Sequence, residues 1–132
     1  MADLEKVVSG TMEEVESEVR SALKSVGFGV LTEIDMAATL KEKLGVERTP
    51  MKVLGACNPK FVNQALNMST SVALFVPCNV VLQEVEGGIK VAALDPLTIM
   101  SSLEMEELGV QARDLLAGAI ASLEGATKSL AN

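Results

Sequence analysis

Residues 80–94 read Val-Val-Leu-Gln-Glu-Val-Glu-Gly-Gly-Ile-Lys-Val-Ala-Ala-Leu, two runs of strand-forming residues joined by a Gly-Gly pair. Such a pair is typical of a tight hairpin, because glycine readily adopts the positive φ values that the turn requires. The stretch therefore predicts two neighbouring antiparallel strands, over 80–86 and 89–94. This hairpin decides the fold class, because it is incompatible with a sheet that is parallel throughout.

Upstream of the hairpin, the spacing of apolar residues alternates between strand and helix periods. Three further strands are predicted there, over residues 4–9, 28–34 and 51–57. A helix follows each strand, and each helix begins at a residue whose side chain caps helices well: Thr11, Asp35 and Asn58. Thr11 forms a capping box with Glu14, and Asn58 precedes Pro59, which suits the first helical position.

Downstream of the hairpin, the pattern predicts one long helix. Leu97 to Met100 is interpreted as a single turn, and Ser101 with Glu104 is interpreted as the capping box that opens the helix. An apolar stripe at helical spacing continues to Gly125, which ends the helix.

The predicted order of elements is therefore β-α-β-α-β-α-β-β-α within a single domain over residues 1–132. The apolar run 72–76 is short and is interrupted by Pro77. The ordered core is expected to span about residues 4–124, with a frayed C-terminal tail. The hairpin and the long last helix favour an α+β fold with a mixed or antiparallel sheet.

The composition excludes several classes of function. The chain has 132 residues, a formal charge of −7, no His, no Trp, no Tyr and three Phe. Without His, it cannot form a Ser-His-Asp or Cys-His pair or an imidazole zinc site. Three Phe offer little platform for stacking bases, and the acidic balance opposes binding to phosphate backbones. No nucleic-acid partner is therefore expected.

Membrane and export signals are not found in the sequence. The longest nearly apolar run, residues 72–82, is broken by Pro77 and is far shorter than the ~20 residues that span a bilayer. The N-terminal residues lack the basic start and apolar stretch of a signal peptide. With only two cysteines, the expectation is a cytoplasmic protein with free thiols and no membrane partner.

Cys57 and Cys78 are the main candidates for a functional role. Each lies where a predicted strand meets a loop, and Cys57 directly precedes a helix N-terminus, where the helix dipole favours the thiolate. A reactive thiol, a redox pair or two soft metal ligands would explain them. Two small buried residues would also explain them, and this structural interpretation is favoured for each cysteine alone, because no Cys-x-x-Cys motif is present.

An asparagine follows each cysteine, and the two amides would line one polar pocket and orient a ligand. Helix capping alone accounts for Asn58. Asn79 has no such local explanation, although a Pro-Cys-Asn bulge that turns the chain would suffice.

Two further candidates have simple structural explanations. Asp95, followed by Pro96, is interpreted as a turn residue rather than as a carboxylate at a pocket mouth. Met51 lies near Cys57 in the sequence, and a thioether beside a thiolate would suit Cu(I). Methionine more often fills gaps in a core.

Several segments together resemble the DUF302 family of uncharacterised small proteins, and their order and spacing fit over roughly residues 4–124. These segments are residues 24–28, Leu-Gly-Ala-Cys-Asn-Pro at 54–59, Phe-Val-Pro-Cys-Asn-Val-Val at 75–81, and Asp-Pro at 95–96. Family members often have Leu where this chain has Val76. The resemblance implies a TBP-like fold, with a curved, mainly antiparallel sheet backed by helices, and commonly a homodimer. It implies no settled activity, and a TBP-like fold does not by itself imply DNA binding.

The sequence leaves three functional hypotheses open. The first is a binding module, a cytoplasmic homodimer whose pocket is lined by Cys57, Asn58, Cys78 and Asn79 and takes a small molecule or a soft metal ion. The alternative is a thiol-based redox enzyme or sulfur carrier, in which Cys57 attacks, Cys78 resolves and the thiol pKa lies well below about 8.5. The third is a non-catalytic protein-interaction module. No catalytic residue is assigned.

Overall fold

The computed structural model describes residues 4–125. Its elements follow in chain order: β1 (Glu5–Val8), α1 (Met12–Ser25), β2 (Gly29–Asp35), α2 (Met36–Leu44), β3 (Met51–Cys57), α3 (Pro59–Met68), a 3₁₀ helix (Thr70–Phe75), β4 (Cys78–Val85), β5 (Gly88–Ala93), α4 (Pro96–Ser102) and α5 (Glu106–Ala121). The predicted fraying of the C-terminal tail concerns residues outside the described range.

The five strands form one sheet in the order β1-β5-β4-β3-β2, and every neighbouring pair is antiparallel. The predicted hairpin is confirmed: β4 and β5 close with Val85 opposite Gly88, and Gly87 and Gly88 both have positive φ. The α+β class and the antiparallel sheet are therefore confirmed, while the TBP-like label stays a prediction. The hairpin places β4 at the centre of the sheet, where it pairs with β3 on its other side.

The main core lies between one face of the sheet and helices α1 and α5. The helices contribute residues at the spacing that the sequence predicts, and the strands contribute alternate residues. Those at most 2% exposed include Val15, Val19, Leu23, Leu54, Leu82, Val91 and Leu116. Burying each of these side chains contributes about 1.5–3 kcal/mol, so this layer supplies most of the fold's stability.

The prediction of one long final helix is wrong. The structure has two helices, α4 and α5, and the chain turns between them at Glu104, which has φ 60°. Ser101 lies inside α4 and opens no helix. The apolar spacing continues across the break because α4 and α5 both bury apolar side chains in the protein interior. Periodicity alone therefore could not reveal the turn between them.

Asp95 is the residue that begins α4. Its Oδ1 accepts a hydrogen bond of 2.9 Å from the backbone N–H of Leu97. Gly109 lets α5 approach α4 closely, because a Cβ there would lie 2.8 Å from the Cβ of Met100. Helix α5 ends at Ala121 rather than at Gly125.

The apolar run before Pro77 forms the 3₁₀ helix, in which Val72 is fully buried. Val72 packs with Ala65 and Met105 in a second, smaller core below the ends of the strands. The Val76–Pro77 peptide bond is cis, and β4 begins at Cys78, two residues earlier than predicted. This second core holds α3 and α4 beside the end of the sheet where Cys78 lies.

The sheet face opposite the main core carries exposed apolar side chains. Strand alternation places Val7, Ile34 and Val53 on this face. Val7 is 51% and Ile34 44% exposed. Within residues 4–125, no helix is long and apolar enough to cross a membrane.

Candidate functional site

Both cysteines line one small cavity, of about 40 Å³, at the end of the sheet. Strands β3 and β4 form one wall, and residues from α3, α4 and α5 form the others. All three phenylalanines of the chain, Phe28, Phe61 and Phe75, line this cavity. The chain's whole aromatic content therefore surrounds its two thiols.

The register of the sheet places both cysteines at the same end of two neighbouring strands. Cys57 is the last residue of β3 and pairs with Gly29, whereas Cys78 is the first residue of β4 and pairs with Ala56. Because Ala56 and Cys57 are consecutive, the two cysteines are diagonal neighbours on adjacent strands, and strand alternation assigns their side chains to opposite faces of the sheet. Both residues border the cavity because each lies at the end of its strand. Both are free thiols; Cys57 is buried and Cys78 is partly exposed.

The electrostatic surroundings favour the neutral thiol at both positions. Burial raises the pKa of the Cys57 thiol above its ordinary value. Burial also raises the pKa of Cys78, and the nearby charge of a Cys57 thiolate raises it further. Burial thus opposes the lowering of the Cys57 pKa that its place before a helix N-terminus predicts, because burial disfavours the charged thiolate. A thiol of this kind is a weak nucleophile at neutral pH.

Asn58 caps α3 as predicted and also lines the cavity. Its Oδ1 accepts a hydrogen bond of 3.3 Å from the backbone N–H of Phe61, and the residue is 8% exposed. Gly27 leaves space for its amide, since a Cβ there would lie 3.1 Å from Nδ2 of Asn58. Gly27 has φ 88°, a value that glycine adopts without strain, and the chain enters β2 through Phe28 directly after it.

Asn79 does not line the cavity. It is exposed and pairs with Gly55 in the sheet. Successive side chains of a strand point to opposite faces, so the Asn79 side chain lies on the opposite face of the sheet from that of Cys78. The structure thus brings together Cys57, Asn58 and Cys78, but not Asn79.

Gly55 allows the chain before Cys78 to lie close to β3. A Cβ at Gly55 would be 2.6 Å from Cγ of Pro77 and would also meet the hydroxyl of Thr32. The approach of Pro77 to β3 fixes where β4 starts and hence where the Cys78 side chain lies. Only glycine fits at this crossing without a shift of its neighbours.

Asp95 joins α4 to α5, the two helices that form one side of the cavity. Besides capping α4, its Oδ2 accepts a hydrogen bond of 3.1 Å from Nε of Arg113 on α5. The carboxylate is buried, so this ion pair is shielded from solvent. It fixes the start of α4, where Pro96 and Met100 line the cavity, against α5.

The cavity offers sulfur atoms and hardly any oxygen or nitrogen. Among residues 4–125, no group of three or more His, Cys, Asp or Glu side chains is placed to hold a metal ion. Met51 is at the opposite end of β3 from Cys57, about 20 Å away at the usual rise of a strand, so the predicted thioether is not at the site. Met100 of α4 lines the cavity instead.

Sequence reasoning missed the aromatic wall and the position of Met100 beside the cavity, although Met100 is one of three methionines, with Met36 and Met68, that suit a flexible binding surface. Met100 lay in a segment interpreted as a single turn, and its position depends on the break between α4 and α5. The scarcity of aromatic residues was a usable signal for the wall. Phe28 and Phe75 each lie in a segment that carries the family resemblance, and Phe61 lies two residues after another.

The fold and the cavity define a small α+β protein with two free cysteines beside one cavity at the end of an antiparallel sheet. The family model described as "Domain of unknown function DUF302" matches residues 4–123, and the chain belongs to this family. Among solved structures, the chain is similar to an uncharacterized conserved DUF302 protein from Bacillus stearothermophilus. The two share 29% identity over 87% of this chain and 92% of that one, with a TM-score of 0.80. No functionally curated protein matches the chain.

Proposed function

We propose that this DUF302 protein is a binding module that holds a small ligand or ion in the cavity between Cys57 and Cys78. The observation that carries the proposal is convergence: residues from six separate elements line one cavity, together with Phe28 and Asn58 from the connecting segments, and the lining includes both cysteines and all three phenylalanines. Two cysteines that only filled the core would not need to line the same cavity.

The size of the cavity limits what it holds. Pockets for drug-sized ligands have volumes of about 300–1,000 Å³. A cavity of about 40 Å³ holds about three or four water-sized groups, each of which needs about 10–15 Å³. The ligand is therefore an ion or a molecule of very few heavy atoms.

A thiol-based redox enzyme or sulfur carrier is the second candidate. The cavity that Cys57 and Cys78 both line favours it, because a resolving thiol must be able to reach the attacking one. The raised pKa of both thiols disfavours it, because attack requires the thiolate. The binding module needs no thiolate before its ligand arrives and is therefore the better supported of the two.

We also propose that the protein works as a cytoplasmic homodimer. The half-exposed apolar residues Val7 and Ile34 lie on the sheet face that α1 and α5 leave uncovered, and an apolar face of this kind suits contact with a second copy. The net charge of −7 makes nucleic acid an unsuitable partner. If the exposed face binds a different protein, the interaction-module hypothesis applies.

Native mass spectrometry of protein purified without chelator or reductant tests these proposals in one spectrum. The expected result is a dimer that carries an additional small mass, and this mass is lost in Cys57→Ser and in Cys78→Ser. Asn79→Ser is the matched control, because Asn79 adjoins Cys78 but lies outside the cavity. A bare dimer with reduced thiols would contradict the binding module, and a monomer would contradict the dimer.

A further inference from the structure

We propose that the ligand of the cavity is a small, neutral carbonyl compound whose oxygen accepts a hydrogen bond from Nδ2 of Asn58. This inference rests on the proposed binding function for the place of the site and adds the chemical class of the ligand. The observation that carries it concerns Asn58, which lines the cavity and is more than nine-tenths buried. The fold uses only one of the two polar atoms of its side chain.

The unused atom is the amide nitrogen of Asn58. Oδ1 accepts the backbone N–H of Phe61 and so caps α3, whereas Nδ2 has no hydrogen-bond partner within residues 4–125. In this part of the chain, no side-chain nitrogen or oxygen is both fully enclosed and unpartnered, so Nδ2 reaches accessible space. The space that Asn58 borders is the cavity. Because buried polar groups normally have a partner, we expect a ligand atom to supply the one that the protein does not.

The lining of the cavity selects an uncharged molecule. Among residues 4–125, those that line the cavity include no Asp, Glu, Lys or Arg. Burial raises the pKa of both Cys57 and Cys78, so the two thiols stay neutral at neutral pH. An ion in this cavity would lose its hydration without gaining an opposite charge. The net charge of −7 also disfavours the approach of anions.

The polar groups of the cavity select an acceptor that brings no donor of its own. Nδ2 of Asn58 only donates. A carbonyl oxygen accepts its N–H, whereas a hydroxyl group would also bring an O–H that needs an acceptor. The only side-chain oxygen among the lining residues, Oδ1 of Asn58, already binds the N–H of Phe61. The sulfur atoms of the lining are weak acceptors, so a carbonyl compound fits better than an alcohol.

The remaining lining suits a short hydrocarbon part. Apart from Asn58 and the sulfur-bearing residues, the cavity is lined by aliphatic and aromatic side chains. A volume of about 40 Å³ accommodates about three or four heavy atoms. Phe75 lines the cavity and is 39% exposed, so the cavity reaches the protein surface beside this ring. A molecule of this size therefore has a route of entry.

Titration of isotopically labelled full-length protein with acetone, followed by two-dimensional proton–nitrogen NMR, tests the inference at the Asn58 side-chain amide itself. The affinity ceiling for ligands of about four heavy atoms gives a Kd no tighter than about 40 μM, so the titration extends into the millimolar range. We expect a saturable shift of the Asn58 NH₂ signals. The NH₂ signals of Asn79 should not move, because Asn79 lies outside the cavity. Two molecules with as many heavy atoms, 2-propanol and acetate, should each bind at least about fivefold more weakly.

The variant Asn58→Asp separates the hydrogen-bond donor from the helix cap. Asp caps helices as well as Asn does, so α3 keeps its cap, while the NH₂ group is replaced by a carboxylate oxygen. Acetone binding, followed in this variant at the backbone amides of Cys57 and Cys78, should weaken at least about tenfold. Asn79→Asp is the matched control and should bind acetone as the parent does. It adds the same charge directly after a cysteine but outside the cavity.

The outcomes separate this inference from the proposed function. Acetate binding as tight as that of acetone would overturn the uncharged class, and equally tight 2-propanol binding would overturn the preference for a carbonyl group. Equal acetone affinity in Asn58→Asp and Asn79→Asp would overturn the role of the Asn58 amide. Failure of the parent to bind acetone, while native mass spectrometry shows a cysteine-dependent mass, would overturn the ligand class and leave the binding module standing. Absence of both acetone binding and a bound mass would overturn both. Circular dichroism of each variant verifies that lost binding does not reflect a lost fold.

Discussion

Gly55→Ala should destabilise the protein by about 2 kcal/mol, because the new methyl group has no space. The added Cβ would lie 2.6 Å from Cγ and 3.2 Å from Cβ of Pro77. Non-bonded carbon atoms prefer about 3.5–4.0 Å, so the Pro77 ring must move by about 1 Å. The ring cannot rotate away, and overfilled cores of this kind typically lose about 1–3 kcal/mol. Alanine also restricts the unfolded chain, which offsets up to about 1 kcal/mol of this loss.

Gly118→Ala is the matched control, since the same substitution there should stabilise the protein. Gly118 is exposed within α5, and a Cβ at that position meets no atom within 4 Å. Alanine is the better helix former, so a gain of about 0.4–1 kcal/mol is expected. The same chemical change thus has opposite signs at the two positions.

Urea unfolding followed by far-UV circular dichroism measures both variants, because the chain has no Trp or Tyr to report by fluorescence. The midpoint should fall for Gly55→Ala and rise for Gly118→Ala with an unchanged slope. For a chain of this length, 1 kcal/mol corresponds to about 4 °C in melting temperature, so Gly55→Ala should melt about 8 °C lower. A Gly55→Ala variant as stable as the parent would refute the close approach of Pro77 to β3. It would also remove the reason given for the position of Cys78.

Three further predictions concern the thiols, the helix cap and the end of the described chain. The alkylation rates of Cys57 and Cys78 should reach half their maximum above the pH of a free thiol, since burial raises both pKa values; a midpoint below it would favour the redox enzyme. The pKa of each thiol is higher in the folded protein than in the unfolded chain. The stability that the folded protein gains by keeping these thiols neutral is therefore fully present below the unfolded pKa, and it is lost as the pH rises through the folded pKa. Asp95→Ala should cost about 2 kcal/mol in urea unfolding through loss of the cap and of the ion pair with Arg113, whereas Asp95→Asn keeps the cap and should cost less; equal costs would contradict the capping role. Glu18→Gln should speed hydrogen exchange at the two backbone amides, at 124 and 125, that donate to its carboxylate at 2.8 Å, while the sheet amides stay protected.

Local chemistry explains why much of the fold could be predicted. Thr11 accepts a hydrogen bond from the N–H of Glu14, and Asp35 accepts one from Ala38, as their spacing indicates. These bonds join residues three apart in the chain, so the sequence alone specifies both partners. The Gly-Gly hairpin is predictable for the same reason.

Contacts between distant residues explain why the rest could not be predicted. The two cysteines border one cavity only because β3 and β4 pair with Ala56 opposite Cys78, a register that the spacing of 21 residues between Cys57 and Cys78 does not specify. The same register turns Asn79 away from the cavity, although its place beside Cys78 suggested a shared role. The burial that raises both thiol pKa values is likewise a property of the assembled protein.

The sequence by itself determined the α+β class, the central hairpin, the helix caps and the two cysteines as the chemically distinctive residues. Only the tertiary structure decided that the cysteines share a cavity, that Met100 rather than Met51 lies beside them, and that the last helical segment is divided. The physical reason is that caps and turns depend on neighbours a few residues away. A site depends on strand register and on helix contacts such as that between Gly109 and Met100, which join parts of the chain that only the folded protein brings together.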